Sequence, residues 1–382
     1  MIGPGKTIGI LGGGQLGRMS ILAGRKLGYK FHVFEPRRAC SAGMVADREI
    51  NANYEDEAAL LDFASDLHAV TLEFENVPLY AIETVTRKCP VSPTKEILQI
   101  CQNRSLEKQF LENHGFPCVP FRMVTSSEEL RMMVKEIGAP CVLKTAVLGY
   151  DGKGQIKIDN ASADFEEIWE QFPASQGVLE KWLPLKGECS IICARNKKGR
   201  IESFPLAENI HTNHILDYTV APARFAPEVG RMATAIAQEI AETLKVTGLM
   251  SVEFFISKAG ELLVNELAPR THNSGHFSLD ACVTSQFEQH VRAVCDLPLG
   301  ATDLLSPVVM VNLLGELWQS GGPHWEHLLQ DPRVKLHLYD KGPAKKGRKM
   351  GHFNVLGEEI EEVLDRALRL KKRISPKGIQ EK

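Results

Sequence analysis

The sequence predicts an α/β protein with more than one domain. Its 382 residues exceed what a single hydrophobic core usually covers. The chain opens with a strand, a glycine loop, a helix and a strand, continues into a strand-rich middle, and ends with further strands and one amphipathic helix. We therefore expect an N-terminal βαβ domain over residues 1–100, a central α+β domain over 101–300 and a small β-rich C-terminal domain over 301–382.

The composition is typical of a globular protein that binds small molecules. Apolar residues make up 43% and charged residues 24% of the chain, which argues against a disordered, collagenous or coiled-coil protein. The formal net charge of −3 is too balanced for a general nucleic-acid binder. The longest apolar runs, such as 308–314, are far shorter than the roughly 20 residues that span a bilayer. The nine cysteines include no CxxC pair and the N-terminus shows no leader, so we expect a reduced, cytoplasmic protein without a membrane partner.

The hydrophobic pattern predicts the main elements. Apolar residues recur at helical spacing in six segments and in short extended runs between them. We predict helices at 16–27, 95–114, 127–137, 163–171, 226–245 and 358–371, and strands at 7–11, 30–35, 69–74, 250–256 and 261–267. The last two strands read as a hairpin that turns at 258–260.

The glycine loop admits three interpretations. Gly12, Gly14 and Gly17 satisfy G-x-G-x-x-G between a strand and a helix, and Glu35 ends the next strand, where an acid that binds a ribose would lie. This pattern is typical of nicotinamide-dependent dehydrogenases. The same glycines at a helix N-terminus would also bind another anion, such as a sugar phosphate, or would form only a tight turn.

Two glutamates of the predicted hairpin indicate a site for a divalent cation. If Ala259-Gly260 is a two-residue turn, Glu253 lies directly opposite Glu266. Opposed Cβ atoms are about 4.5 to 5.5 Å apart, and two like charges there destabilise the sheet unless a cation lies between them. Magnesium prefers carboxylate oxygens and commonly takes phosphate oxygens as further ligands. The alternative is that each glutamate pairs with its own Lys or Arg.

A glycine-rich loop and a lysine on the preceding strand predict a phosphate site. The loop GYDGKGQ at 149–155 can turn its amides toward phosphate oxygens, although a generic hairpin loop would look similar. Lys144 is a lone ammonium in the apolar strand CVLKTA, where an unpaired buried charge is unfavourable, and a nucleotide phosphate would pair it. The strand GVLEKWL is suited to present backbone groups of 181–183 to an adenine, with Glu180 close by and Glu188 able to accept ribose hydroxyls.

Together these motifs resemble the ATP-grasp ligases. The shared features are a lysine on a strand, a glycine-rich flap, an EKWL segment and two glutamates thirteen residues apart that end in NELAPR. The chain resembles the 5-(carboxyamino)imidazole ribonucleotide synthase family more closely still, from residue 6 to about 370. The motifs that carry this likeness are EFENVP at 73–78, GYDGKGQ at 149–155, AENIH at 207–211, NELAPRTHNSGH at 265–276 and RKMGH at 348–352. The chain departs from the family at 146–148, where relatives often carry basic or small residues, and at Thr271, which replaces a usual proline.

The resemblance implies an ATP-grasp architecture with a Rossmann-like preATP-grasp domain at the N-terminus and a flexible lid over 118–183. It also implies a reaction of purine biosynthesis, in which ATP, bicarbonate and 5-aminoimidazole ribonucleotide give the carboxyamino ribonucleotide, ADP and phosphate through carboxyphosphate. The implied cofactors are ATP and Mg²⁺. The resemblance further suggests a homodimer that passes its product to a mutase.

The same resemblance implies a role for each candidate residue. The proposed metal ligands are Glu253 and Glu266. The nucleotide would contact Arg104, Lys144, Gly149, Tyr150, Asp151, Gly152, Lys153, Gly154, Gln155, Glu180, Lys181, Trp182, Leu183, Glu188, His211, Asn265 and Glu266. The ribonucleotide would contact Gly14, Gln15, Leu16, Glu73, Asn76, His272, Asn273, Ser274, Lys341 and Arg348. The catalytic set would be Arg270 and His211 at the bicarbonate and transferred phosphate, Lys153 at the phosphate, and Tyr150 and Asp151 at the attacking amine.

Several alternatives stay open at this point. The chain could be another ATP-grasp ligase with a different amine or carboxylate, a dehydrogenase, or a nucleotide-binding regulatory protein without turnover. The basic run at 341–349 would be a solvated charged loop if the resemblance were set aside. The histidine pairs 211/214, 272/276 and 324/327 invite a zinc site, but none has a third ligand placed to complete it.

Overall fold

The structure is a computed structural model that describes residues 1–147 and 154–375, except for the side chain of Ser320. Within these ranges the chain forms three β-sheets accompanied by helices, which confirms the predicted α/β fold class. No helix of the described ranges is long and apolar enough to cross a membrane. The division of the chain at residues 100 and 300 stays a prediction.

The N-terminal segment folds as a five-stranded parallel sheet with three helices. Its elements are β1 (Thr7–Leu11), α1 (Gln15–Lys26), β2 (Lys30–Phe34), β3 (Arg48–Ile50), α2 (Glu57–Ala64), β4 (Ala69–Leu72), α3 (Leu79–Thr86) and β5 (Val91–Ser92). The strand order β3-β2-β1-β4-β5 is that of a doubly wound sheet, in which ligands bind where the order reverses. The reversal lies between β1 and β4, so the glycine loop after β1 and the segment EFE after β4 meet at the same edge.

The helix predicted over 95–114 is two helices, and the prediction of one continuous helix is wrong. Asn103 interrupts the pattern with an extended backbone (φ −124°, ψ 107°), and its side-chain oxygen accepts hydrogen bonds from the amides of Ser105 and Leu106. Asparagine is a favoured N-cap because its side chain satisfies amides that have no partner within the helix. The two helices are α4 (Lys95–Gln102) and α5 (Arg104–Asn113).

A smaller antiparallel sheet of four strands follows. Its elements are β6 (Phe121–Val124), α6 (Ser127–Ile137), β7 (Cys141–Thr145), β8 (Gln155–Ile158), α7 (Phe165–Gln171) and β9 (Gly177–Lys181). The strand order is β6-β9-β7-β8, and Leu143 of β7 faces Leu179 of β9 in the core beneath α6 and α7. The predicted helix over 127–137 is confirmed. The helix predicted to begin at 163 begins at Phe165, because Asp164 caps it by accepting the Glu167 amide.

The largest sheet has nine strands and runs through the rest of the chain. Its elements are β10 (Leu185–Arg195), β11 (Ile201–Ser203), β12 (Ala207–Thr212), β13 (Ile215–Ala221), α8 (Pro227–Thr243), β14 (Gly248–Ser257), β15 (Leu262–Ala268), α9 (Ser278–Ala281), α10 (Gln286–Val294), β16 (Val308–Leu314), α11 (Trp325–Leu329), β17 (Val334–Leu338), β18 (Lys349–Leu356) and α12 (Ile360–Ile374). The strand order is β15-β14-β10-β12-β13-β16-β18-β17, with β11 paired to β10. The three C-terminal strands thus continue the same sheet through the pairing of β13 with β16.

The hairpin of β14 and β15 places Glu253 opposite Glu266, as predicted, although the turn differs from the prediction. Near the turn, Ser257 pairs with Glu261 and Gly260 donates to the Ser257 carbonyl, so the connection has three residues rather than two. A β-bulge at Asn265 then adds one residue to β15 and shifts the register back. The two offsets cancel, and the two acids therefore share one face of the sheet.

Candidate active site

The glycine loop already holds two carboxylates of the protein itself. The amide of Gly13 donates to Oε2 of Glu35 at 3.0 Å, and the amide of Leu16 donates to Oε1 of Glu73 at 3.2 Å. A Cβ at Gly14 would overlap the Glu73 carboxylate, which explains a glycine there. Because carboxylates occupy the amides that a pyrophosphate would need, the dinucleotide interpretation is disfavoured. Glu35 supports the loop and binds Arg37 at 2.7 Å instead of a ribose.

A cavity of about 2010 Å³ lies between the glycine loop and the basic run at 341–349. Its lining includes all of the residues predicted to bind the ribonucleotide except Gly14 and Ser274, together with Arg270 from the predicted catalytic set. Asn273 also lines it, and both polar atoms of this buried side chain lack a hydrogen-bond partner among the described residues. Buried polar groups normally find partners, so this amide is available to a ligand.

One end of the cavity combines cations with a buried acid. Burial lowers the pKa of Lys341 to about 8, although the negative charge of Glu73 acts to raise it. Burial also raises the pKa of Glu73 despite the nearby charge of Lys341. The Arg348 guanidinium donates to the Pro343 carbonyl at 3.1 Å and lines the same end. Such a cationic end is suited to a phosphate group.

Glu75 is a residue of the cavity that the sequence analysis missed. It forms a two-point salt bridge with Arg270, and the Oε1 to Nη2 contact measures 2.9 Å. Burial raises the pKa of Glu75, but the charge of Arg270 outweighs it and leaves the pKa below its usual range. Glu75 also lines a smaller cavity of about 40 Å³ with Arg104 and Glu266, so it lies between the large cavity and the paired acids. The sequence could have indicated Glu75, because it lies two residues after Glu73 in the motif EFENVP.

The paired acids fit a divalent cation. Burial and the charge of Glu266 raise the pKa of Glu253 to about 7. Glu253 Oε1 lies 3.2 Å from Nε2 of His272, and Glu266 Oε2 lies 3.7 Å from Nη2 of Arg104. Two mutually repelling carboxylates on neighbouring strands supply the hard oxygen ligands that magnesium prefers. Among the described residues there is no group of three or more His, Cys, Asp or Glu side chains that could hold a metal on its own.

Lys144 is not the lone ammonium that the sequence suggested, and that prediction is wrong. Its Nζ lies 2.7 Å from Oε2 of Glu180, which comes from the neighbouring strand β9. Oε1 of Glu180 lies 3.6 Å from both Arg104 and Lys108. Burial would raise the pKa of Glu180, but the charges of Lys108, Lys144 and Arg104 hold it well below its usual range. One buried acid therefore holds three cations near the paired acids.

The remaining predicted nucleotide residues lie around this buried ion network. The amides of Lys181 and Trp182 donate to the carbonyls of Pro120 and Pro140, whereas the Leu183 amide has no partner in the described part of the chain. The side chain of Trp182 is exposed, and Nζ of Lys157 lies 4.8 Å from the centroid of its ring. A free amide beside an exposed aromatic ring is suited to a planar base.

Glu188 and His211 form a second polar pair on the large sheet. Nδ1 of His211 lies 3.1 Å from Oε2 of Glu188. Burial would lower the pKa of His211, but Glu188 outweighs it and raises the pKa. The charges of Glu188 and His211 also act on the pKa of Glu253, so the pair lies close to the paired acids.

The predicted flap lies mostly outside the described residues. This applies to Gly149, Tyr150, Asp151, Gly152 and Lys153. Gly154 and Gln155 are described: the Gly154 carbonyl accepts the Thr145 amide, and Gln155 pairs with Lys144 in the ladder of β7 and β8. The Asn265 carbonyl accepts a hydrogen bond from Lys108 at 3.4 Å within the bulge.

Two predicted residues have roles other than direct contact with the large cavity. Gly14 does not line it, because this glycine only makes room for Glu73. Ser274 is fully buried behind His272 and bonds to Nδ1 of that ring at 2.9 Å. Ser274 is absent from the lining of this cavity, and its contact with the ribonucleotide stays a prediction.

A doubly wound N-terminal sheet, a four-stranded sheet that carries Lys144, and paired acids on a third sheet together define an ATP-grasp protein. Three family models match the chain: the ribonucleotide synthetase preATP-grasp domain over 5–102, the ATP-grasp domain over 109–287, and the phosphoribosylaminoimidazole carboxylase C-terminal domain over 308–366. The chain is 43% identical to the N5-carboxyaminoimidazole ribonucleotide synthase of Bacillus subtilis, over 95% of this chain and 94% of that protein. It belongs to the N5-carboxyaminoimidazole ribonucleotide synthase family, which confirms the resemblance inferred from its motifs.

Other relatives agree with this membership. The chain is 43% identical to the bifunctional purine synthesis protein purC/E of Dictyostelium discoideum, and the match covers 91% of this chain but only 37% of that protein. An ADP complex of an N5-carboxyaminoimidazole ribonucleotide synthetase superposes with a TM-score of 0.90 at 44% identity, over 97% of each chain. The Aspergillus clavatus synthase in complex with ADP and 5-aminoimidazole ribonucleotide gives 0.88 at 28% identity, over 97% of this chain and 98% of that one.

Proposed function

We propose that this protein is a carbon–nitrogen ligase that carboxylates 5-aminoimidazole ribonucleotide with bicarbonate and ATP in purine biosynthesis. Bicarbonate oxygen attacks the γ-phosphate to give carboxyphosphate and ADP. The ribonucleotide amine then attacks the carboxyl carbon, loses a proton and releases phosphate, which gives 5-(carboxyamino)imidazole ribonucleotide. The observation that carries this proposal is a single cavity lined by the cations Lys341, Arg348 and Arg270 together with the acids Glu73 and Glu75. The relative from Aspergillus clavatus, bound to ADP and 5-aminoimidazole ribonucleotide, supports it.

ATP would bind between the four-stranded sheet and the nine-stranded sheet. Lys144 and Arg104 supply positive charge for its phosphates, and the free Leu183 amide is suited to the adenine edge. Phosphoryl transfer depends mainly on positioning and charge neutralisation, which these groups provide. The contacts predicted for Tyr150, Asp151 and Lys153 stay predictions because these residues lie outside the described ranges.

Glu253 and Glu266 would hold magnesium. The bound ion would supply positive charge to the phosphate oxygens of the nucleotide. The acids themselves must be deprotonated to bind it, and the pKa of Glu253 near 7 makes that binding depend on pH. Arg104, 3.7 Å from Glu266, partly neutralises this pair in the absence of a cation.

Bicarbonate would bind near Arg270, whose orientation is fixed by Glu75. The ribonucleotide would place its phosphate at Lys341 and Arg348 and its polar groups at Asn273 and Glu73. The free amide of Asn273 supports this arrangement. A cavity of this size accommodates both substrates and keeps carboxyphosphate close to the attacking amine.

The proposal extends to assembly and location in three respects. We propose a homodimer, a hand-over of the product to a mutase, and a cytoplasmic location. All nine cysteines are free, as expected of a protein in a reducing compartment.

A coupled assay of ADP release with each substrate omitted in turn tests the proposed reaction. We expect rapid ADP release only when bicarbonate and 5-aminoimidazole ribonucleotide are both present, and its loss in Glu266→Ala. Stimulation by a different amine or carboxylate would keep the ATP-grasp ligase class but reject this substrate. A nicotinamide absorbance change that survives Glu266→Ala would favour the dehydrogenase alternative.

A further inference from the structure

A line of buried polar side chains runs behind Glu253. The amide nitrogen of Asn209 donates to Oγ of Ser190 at 2.9 Å, and Ser190 donates to Oγ of Ser274 at 2.7 Å. Oγ of Ser274 lies 2.9 Å from Nδ1 of His272, whose Nε2 lies 3.2 Å from Oε1 of Glu253. The first three residues are at most 5% exposed. This line, which we call the serine relay, joins strands β12, β10 and β14 to the segment after β15.

The direction of donation in the relay fixes which nitrogen of His272 carries the proton. The backbone amide of Ser274 points at Nδ1 of His272 from 3.3 Å, and an amide N–H can only donate. Nδ1 is therefore an acceptor, and the proton of the neutral ring lies on Nε2. The Ser274 hydroxyl can then donate to Nδ1 while it accepts from Ser190, so each member of the relay has a consistent partner.

Two further contacts hold the ends of the relay. The hydroxyl of Thr219 donates to Oδ1 of Asn209 at 3.0 Å, which sets the amide with its nitrogen toward Ser190. Gln286 accepts the His272 amide at 2.9 Å and donates to the His272 carbonyl at 2.7 Å. The ring of His272 is thus held through its backbone and through Nδ1, and only Nε2 faces the acid.

We propose that Ser274, Ser190 and Asn209 are positioning residues that keep His272 in the Nε2–H form. His272 then binds one oxygen of Glu253, and the other oxygen would be available to hold a divalent cation. In the opposite tautomer, a lone pair on Nε2 would face the carboxylate, and the repulsion would turn the acid away. Groups that orient a metal ligand in this way typically change metal affinity by about 10- to 100-fold when removed. The inference rests on the proposed function only in that it assigns Glu253 to a metal.

Binding of Mn²⁺ to the full chain in the presence of ADP, followed by electron paramagnetic resonance, tests the relay without turnover. We expect Ser274→Ala to weaken Mn²⁺ binding about 10-fold. The matched control is Ser257→Ala, another buried serine of the same sheet, whose hydroxyl bonds to the Glu261 carboxylate and amide at the far end of the hairpin. We expect this control to bind Mn²⁺ like the wild type. His272→Gln keeps a donor toward Glu253 and should retain most of the affinity, whereas His272→Leu should lose it.

Nitrogen NMR of the histidine rings gives a second readout that does not depend on the stability of Ser274→Ala. We expect the His272 resonances, identified by their loss in His272→Gln, to report a proton on Nε2 in the wild-type protein. A proton on Nδ1 would overturn the proposal, as would equal Mn²⁺ affinity in Ser274→Ala and Ser257→Ala. Failure of the proposed reaction would instead appear as wild-type protein that binds Mn²⁺ and ADP but does not respond to the ribonucleotide.

Discussion

Removal of the Glu180 carboxylate should destabilise the protein strongly. Glu180→Gln keeps the shape of the side chain but leaves Lys144, Lys108 and Arg104 without their shared anion. Glu180 and Lys108 are almost completely buried, so water cannot replace the lost charge. We expect unfolding in urea at a lower midpoint, with an unchanged slope of free energy against urea.

The size of the loss follows from the contacts of Glu180. At an effective dielectric constant of about 20, the 2.7 Å contact with Lys144 corresponds to an attraction of about 6 kcal/mol before the unfavourable desolvation of both ions. Removing one member of such a buried pair typically costs about 3 to 5 kcal/mol. The pKa of Glu180 lies well below its usual range, so its contribution is present above the pKa of the unfolded state and is lost only in strong acid. The difference from wild type should therefore be the same at pH 6 and pH 8.

The matched control is Glu166→Gln in α7, the helix that packs on the same four-stranded sheet. Glu166 pairs with Arg131 at 2.7 Å, but both side chains are about half exposed. Exposed pairs contribute about 0 to 1 kcal/mol, so this variant should unfold nearly like the wild type. Equal free energies of unfolding for the two variants would refute the view that Glu180 holds the three cations together.

Three further predictions follow from the site and its neighbours. Glu253→Gln should stabilise the metal-free protein against unfolding by up to about 3 kcal/mol at pH 8 and by much less near pH 5. The reason is that the pKa of Glu253 is raised from 4.5 in the unfolded chain to about 7 in the folded protein, so the charged carboxylate destabilises the fold increasingly as the pH rises between these two values. An equal gain at both pH values in urea unfolding would contradict this. Arg348→Ala should raise KM for the ribonucleotide about 10- to 100-fold and leave KM for ATP nearly unchanged, because one charge-assisted hydrogen bond to the ribonucleotide is lost. Steady-state kinetics, with Arg333→Ala as a control, measures both constants. An unchanged ribonucleotide KM would show that Arg348 does not bind this substrate. Asn103→Ala should lower the free energy of unfolding by about 1 kcal/mol through the lost helix cap, and no change in thermal unfolding would argue against the cap.

Local patterns in the sequence were enough for most of the longer helices and for the facing acids, but the short helices α2 and α3 were not predicted. The helix over 127–137 and strand β1 follow directly from apolar spacing. Glu253 lies opposite Glu266 as predicted, although the predicted length of the hairpin turn was wrong. The break at Asn103 could have been read from its capping side chain, but the apolar spacing continues across it and hides the boundary. Helix ends elsewhere differ from the predictions by at most three residues.

Partners across long distances could not be predicted. Glu180 is thirty-six residues from Lys144, and nothing local marks it as the acid that pairs with that lysine. Glu75 and Arg270 are separated by still more of the chain, and their contact depends on the meeting of two different sheets. The glycine loop shows the same limit. Its sequence indicates that the loop amides bind an anion, but it does not show that the carboxylates of Glu35 and Glu73 are the anions bound there.

The bulge at Asn265 separates the paired acids from the tip of their own hairpin. Glu253 is held in place by its pairing with Ser190 as well as with Glu266, both on the far side of the bulge from residues 258–260. Relatives of this chain can therefore gain or lose residues at that tip during evolution without turning either acid to the opposite face. The same tolerance offers a place to insert a tag or a reporter without disturbing the chemistry.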